Sequence, residues 1–394
     1  MRRLCCALIA VTIMMMVSCA TSVTTAPEQA TTEAPAKSSG MEEVLMADTS
    51  ALSLYKAYED DGIIIGSCVY PVDFSDWGKE KLETQFASIS PFNGLRAEDL
   101  LDQEKSIRNG RLTVVFSDDL VSQMEWAREH GKKVHRAALI WWQSCPDWIF
   151  REDFRDDSPY VSRDVLLGRL EDYISGVFSG IDEKGWGDLF FCYDVVSEYI
   201  NTEGTGLNPM PWVSIIGDDM IEHAFSFARK YAPKGLRLIY NEHFCENNEV
   251  KRDAVIDLVG KLAEKSLLDG LGLQCRLFLR FDIDRTCGNI RHIAQNIGDL
   301  ELQLTEIDCC FNANGKNLQA NLKKQGTYYY KVMETMMKLK EEGCNVTAVQ
   351  TFGFWDQNSV MGASNAPLLY DVNGVEKYSY FGLLQMRDLS GFEE

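Results

Sequence analysis

The sequence predicts an α/β fold, a single (β/α)8 TIM barrel, and three observations carry that expectation. Short β-rich apolar runs alternate with helical stretches, the pattern of repeated βα units around a parallel sheet. Eight such runs can be counted. The 394 residues also suit a barrel, which takes roughly 250 residues and up to about 400 with insertions. An open doubly wound sheet is the competing arrangement, but no GxGxxG follows the first run, so a dinucleotide site has no support.

The strands are expected at 62–67, 88–90, 133–141, 189–196, 236–240, 270–274, 301–305 and 346–352. Several are near-continuous apolar runs, as strands covered on both faces require. The run at 88–90 carries the least signal. The helices between them are written more plainly. Residues 118–130 place Leu120, Met124 and Ala127 on one face and stop at Gly131. Leu166, Leu170, Tyr173, Ile174 and Val177 share a second face at helical spacing. Asp218 is positioned to cap a helix bearing Ile221, Ala224, Phe225 and Ala228. Tyr329, Val332, Met336 and Leu339 mark the last long helix, which ends near Gly343.

The chain divides into three segments. Arg2 and Arg3, an apolar stretch to Val17, and Ser18-Cys19-Ala20 make residues 1–19 a signal peptide of lipoprotein type, with Cys19 the residue to be lipidated. Residues 20–45 are rich in Thr, Ala, Pro, Glu and Ser without apolar periodicity, a flexible polar tether. Residues 46–394 form the barrel domain. The expected location is secreted or anchored to the bacterial cell envelope, the lipid being the sole membrane contact, since no other stretch is long and apolar enough to span.

A net charge of −20 argues against nucleic acid, whose phosphates such a surface repels, and is indifferent to neutral sugars. Of 12 cysteines, Cys5, Cys6 and Cys19 lie in the signal, leaving nine with no CxxC pair. An odd number leaves at least one thiol free or bonded between molecules. Zinc needs close ligand pairs, and none of the five histidines lies near Cys309-Cys310. Most of these cysteines read as small buried apolar residues. No metal and no cofactor are expected, and the protein is expected to be a monomer.

In a (β/α)8 barrel the active site sits at the C-terminal ends of the strands. Four runs here end in polar residues: Ser197-Glu198, Asn241-Glu242, Gln274 with Arg276 beyond it, and Thr305-Glu306-Ile307-Asp308. One such carboxylate can cap a helix, but several at one mouth suit glycosidic bond cleavage. That reaction needs one carboxyl protonated and one ionised. Trp141, Trp142, Trp148, Phe352 and Trp355 follow strands as well, and aromatic faces stack on the C–H faces of sugars.

Residues 62–384 resemble glycoside hydrolase family 10, the endo-β-1,4-xylanases. The longest similar stretch is PWVSIIGDDMIEHAFSFARKYAP at 211–233. Asp194-Val195-Val196-Ser197-Glu198 resembles the family's DVVNE, and Leu304-Thr305-Glu306-Ile307-Asp308 its ITELD. Tyr240-Asn241-Glu242 resembles IND, Gly272-Leu273-Gln274 resembles GLQ, and Pro146-Asp147-Trp148 matches PDW. The resemblance implies a retaining double displacement, with Glu306 the nucleophile and Glu198 the acid/base, their carboxyls roughly 5–5.5 Å apart. Asn241, Glu242 and Asp308 would support the pair from behind, although Asp308 could equally cap a helix.

The departures fall around that pair. The family's NEMK reads Asn93-Gly94-Leu95-Arg96, and its WHSQ reads Trp141-Trp142-Gln143-Ser144. The Asn before the acid/base is Ser197, the histidine after GLQ is Arg276, and the last strand's WG is Phe352-Gly353. Asn93, Arg96, Trp141, Trp142, Ser197, Gln274, Arg276, Phe352 and Trp355 are the expected sugar-binding residues. The expected function is endo-hydrolysis of β-1,4-xylan or a related plant polysaccharide. The alternatives are a surface lipoprotein that binds carbohydrate with weak or no catalysis, and a solute-binding lipoprotein. The second normally needs a two-domain hinge, and the sequence shows none. Arg276 would keep Glu306 ionised to lower pH than a histidine would.

Overall fold

The computed structural model describes residues 52–136 and 138–385. The signal, the tether and Cys19 lie outside the described residues, as do the outermost residues of the 46–394 domain. The strands are β1 (Ile64–Val69), β2 (Ser88–Pro91), β3 (Lys133–Arg136), β4 (Ile140–Trp141), β5 (Phe190–Ser197), β6 (Arg237–Glu242), β7 (Gly270–Leu273), β8 (Arg276–Phe278), β9 (Glu301–Cys310) and β10 (Val346–Thr351). They pair in parallel in the order β10-β1-β2-β3-β5-β6-β7-β9, and β10 also pairs with β9, which closes the ring. Eight positions around the barrel result, with β4 continuing the line of β3 along β5 and β8 extending the edge of β9.

Two of the predicted strands need correction. The run 133–141 is divided, because its ladder with β5 shifts register after Val134, runs on to Arg136 opposite Tyr193, and is taken up again at Ile140 opposite Val196. The run 301–305 continues to Cys310, so Glu306 and Asp308 lie inside β9 and not in the loop after it.

Among the described residues these helices follow the strands: α1 (Asp76–Gln85), α2 (Asp118–Glu129), α3 (Arg163–Glu183), α4 (Met220–Tyr231), α5 (Glu249–Glu264), α6 (Ile283–Asn296), α7 (Leu318–Glu341) and the short α8 (Tyr378–Leu384). Their buried faces are those the spacing predicts, Leu166, Leu170, Tyr173, Ile174 and Val177 on α3 among them. Ser117 caps α2 by accepting from Leu120 N–H, and Asn248 caps α5 by accepting from Val250 and Lys251. Asp218 does not cap α4. Gly217 turns the chain at φ 114°, the N-cap falls on Asp219, and the Asp219 carboxylate pairs with Arg163 at 2.6 Å instead.

The barrel interior holds hydrogen-bonded polar side chains as well as apolar ones. Gln350 donates to Ser88 Oγ at 2.7 Å and Thr351 to Ser67 Oγ at 3.0 Å. Gly66 makes room for the first contact, since a Cβ there would lie 2.1 Å from both Gln350 Oε1 and Ser88 Oγ. All nine described cysteines are unpaired thiols, and six of them are buried, as small apolar residues are. Among the described residues no helix is long and apolar enough to cross a membrane.

Candidate active site

Glu198 follows the last residue of β5 in the left-handed region, at φ 55°. For a residue with a Cβ that conformation costs on the order of 1–3 kcal/mol, so its surroundings must impose it. Its N–H donates to Asn241 O at 3.0 Å, and its carbonyl accepts from Asn208 Nδ2 at 2.7 Å. The carboxylate is then fixed by two neutral donors. Trp142 Nε1 donates to Oε2 at 2.6 Å and Gln274 Nε2 to Oε1 at 2.9 Å. Gln274 is brought there by β7 and by its own N–H, which bonds Glu242 O at 2.9 Å.

Glu306 faces the same mouth because β9 bulges. Val349 of β10 is opposite Leu304 and Thr351 is opposite Ile307, so Thr305 and Glu306 together face the single Gln350. Strand alternation would send Thr305 and Glu306 to opposite faces, and the extra residue removes that constraint. Both side chains therefore reach one amide, that of Asn241. Thr305 Oγ1 donates to its Oδ1 at 2.7 Å, and its Nδ2 donates to Glu306 Oε1 at 3.3 Å. Gly272 makes this convergence possible, since a Cβ there would lie 2.6 Å from Thr305 Cγ2 and 3.0 Å from Asn241 Oδ1. Asn241 thus touches Glu198 through its backbone and Glu306 through its side chain.

Arg276 lies on β8, in register with Asp308 of β9. Its Nη2 is 2.7 Å from Asp308 Oδ2 and its Nη1 is 3.4 Å from Glu306 Oε2. The guanidinium lies over the Phe352 ring, 3.9 Å from its centroid. Asp308 therefore acts as partner of Arg276 and not as a helix cap. Burial pushes Glu306 up to about 7, with the nearby Glu198 charge adding to the rise and Arg276 opposing it. Arg276 thus acts in the expected direction, but desolvation outweighs it.

Behind the pair, Glu242 is fully buried and saturated with partners. Lys251 Nζ of α5 lies 2.8 Å from its Oε1, His243 Nδ1 lies 3.0 Å from the same oxygen, and Tyr240 Oη and Ile200 N–H donate to Oε2. Burial works against its charge, yet His243 and Lys251 outweigh it and hold the carboxyl below its ordinary value.

The remaining expected residues divide by location. Trp142 and Gln274 are on Glu198, and Phe352 is under Arg276. Ser197 is buried in register with Trp141 and Asn241. Trp355 packs tilted against Trp77 with ring centroids 4.9 Å apart, and the buried indole N–H groups of Trp141 and Trp355 have no protein acceptor among the described residues. Arg96 is held within its own loop by Glu98 at 3.0 Å, Asp99 at 3.0 Å and Asn93 at 3.2 Å. Trp148 belongs to the core, packed edge-on against Phe154 in a short 3-10 helix. The sequence reading missed His243, Lys251 and Asn208. His243 could have been found, since it directly follows the Tyr240-Asn241-Glu242 strand end, whereas Lys251 carries no local signal.

The profile of glycosyl hydrolase family 10 matches residues 53–386. A protein of Caldicellulosiruptor saccharolyticus is 31% identical over 307 residues, covering 74% of this chain and 96% of that one. Endo-1,4-beta-xylanase A of Thermoanaerobacterium saccharolyticum is 34% identical over 283 residues, which are 71% of this chain and 23% of that protein. Against this longer relative the chain spans about a quarter of the length. Among solved structures, the intracellular xylanase of Thermoanaerobacterium saccharolyticum superposes with TM-score 0.73 at 30% identity, over 84% of this chain and 97% of that one. The CBM22-1–GH10 modules of a Clostridium thermocellum endo-1,4-beta-D-xylanase, complexed with xylohexaose, give TM-score 0.77 at 26% identity, over 86% and 68%. With a profile match running the length of the barrel, this chain is a glycosidase and belongs to glycosyl hydrolase family 10.

Proposed function

We propose that the protein is a retaining endo-hydrolase of β-1,4-xylan or a closely related plant polysaccharide. The observation that carries this reading is the unlike treatment of two carboxyls joined through Asn241: two neutral N–H donors hold Glu198, while a fixed cation faces Glu306. Glu306 attacks the anomeric carbon as the glycosidic C–O bond breaks, and Glu198 gives its proton to the departing oxygen. Water then attacks the glycosyl-enzyme, its proton passes to Glu198, and Glu306 is released. Gln274 and Trp142 orient Glu198 through both steps. The relatives named as xylanases, and the neighbour complexed with xylohexaose, favour xylan as the substrate.

The test is incubation with β-1,4-xylans, mixed-linkage β-glucans and aryl glycosides, with products resolved by size. Short xylo-oligosaccharides released early from xylan are expected. Binding without release would overturn the reading in favour of a carbohydrate-binding protein. For the N-terminal segment we propose lipid anchoring through Cys19 to the cell envelope. Cys19→Ala should then shift the protein from the membrane fraction to the soluble one, or leave it unprocessed, and unchanged partitioning would contradict anchoring.

A further inference from the structure

His243 stands between two carboxylates, and only one of them needs it. Its Nδ1 is 3.0 Å from Glu242 Oε1 and 3.7 Å from Glu198 Oε1. Glu242 already has a full counter-charge in Lys251, whose Nζ lies 2.8 Å from the same oxygen, and a further donor in the His243 backbone N–H at 2.9 Å. A second cation beside Glu242 is surplus to that ion pair. Its counter-charge is Glu198, so Lys251, imidazolium, Glu242 and ionised Glu198 together sum to zero. A third carboxyl near the ring is Glu246, buried beside Cys245 and pushed by burial up to about 7.

We propose that His243 is a positioning residue that acts through Glu198: its imidazole, anchored on Glu242, changes charge beside the acid/base carboxylate and so sets the upper pH limit of turnover. The inference rests on the reading of Glu198 as acid/base. Uptake of a proton by Glu198 leaves the cluster with a net positive charge, which favours release of the imidazole proton. At 3.7 Å a positive imidazole and an ionised Glu198 favour each other. Burial opposes the imidazolium and Lys251 adds to that opposition, but Glu198 and Glu242 outweigh them, so His243 holds its proton above the ordinary histidine range. In the charged state it favours ionised Glu198 and withholds the acid form that the first step consumes.

Two measurements test this. The chain has five histidines, so the His243 imidazole can be followed by 15N NMR against pH in the wild type and in Glu198→Gln. The His243 midpoint should fall by about one unit in the variant, the scale of an opposite charge within about 4–6 Å. An unmoved midpoint overturns the proposal. This arm needs no substrate, so it stands whether or not the chain hydrolyses xylan. In the second arm, kcat/KM on an unactivated oligosaccharide is followed against pH for the wild type, His243→Asn and His243→Lys. His243→Asn keeps a donor toward Glu242 and loses the charge, and its basic limb should move up by about one unit. His243→Lys restores a fixed charge and should return the limb toward the wild-type position. A purely structural role would lower the rate in both variants at every pH and leave the limbs in place, and that result also overturns the proposal. Should His243→Asn not fold, His243→Gln carries the same comparison.

Discussion

The guanidinium Nη1 of Arg276 stands 3.4 Å from Oε2 of Glu306 while its Nη2 is paired with Asp308 at 2.7 Å. The cation is thus shared between Glu306 and the buried carboxylate of Asp308 and, laid over Phe352, is held in place. Glu306 rises to about 7 by burial in spite of this neighbour. Arg276→His replaces a permanent charge with one that is absent above the ordinary histidine range. The ionised form of Glu306 then loses support, its value rises further, and the acidic limb of kcat/KM should move up by about one unit. A rate profile from pH 3 to 9 for both proteins checks this, and an acidic limb that stays in place contradicts the contact.

Glu246 gives a stability prediction independent of catalysis. It is fully buried, and desolvation raises it from 4.5 to about 7. A carboxyl raised in the folded state holds its proton more tightly there than when unfolded. Its contribution is therefore intact below about pH 4.5 and is lost as pH rises through about 7. Glu246→Gln removes the titration and keeps the shape. It should stabilise the protein by about 3 kcal/mol at pH 8 and by roughly nothing at pH 4. Urea unfolding at the two pH values measures the difference, and an equal effect at both would contradict the assignment.

The Glu242–Lys251 pair predicts the reverse kind of effect. Both side chains are fully buried and 2.8 Å apart, so removing one partner strands the other charge. Lys251→Met should cost about 3–5 kcal/mol at pH 7, measured by urea unfolding. A loss under about 1 kcal/mol would mean that His243 alone suffices to hold Glu242.

Much of the barrel is legible in the sequence because strands covered on both faces are written as apolar runs, and the polar residues that end them stand out against those runs. Glu198, Asn241, Gln274 and Arg276 were legible for that reason. What was not legible depends on register or on distance in the chain. No periodicity reveals the bulge that turns Thr305 and Glu306 to the same amide, or the break after Arg136 that divides β3 from β4. Lys251 lies one turn into α5, nothing in its neighbourhood marks it as the partner of Glu242, and only the packing of α5 against β6 joins them. Arg96 reads as a free sugar-binding cation in sequence, yet the acidic residues two and three positions on take up its charge.

The central claim, that Glu306 and Glu198 perform a double displacement, is tested most directly by azide rescue of Glu198→Ala on an activated aryl β-xyloside. Such a leaving group needs little acid assistance, so the glycosyl-enzyme still forms and waits for a nucleophile. Azide should accelerate turnover and give the β-configured glycosyl azide by NMR, because an intermediate already inverted once is attacked a second time. An α-configured azide would mean a single displacement and would contradict the account.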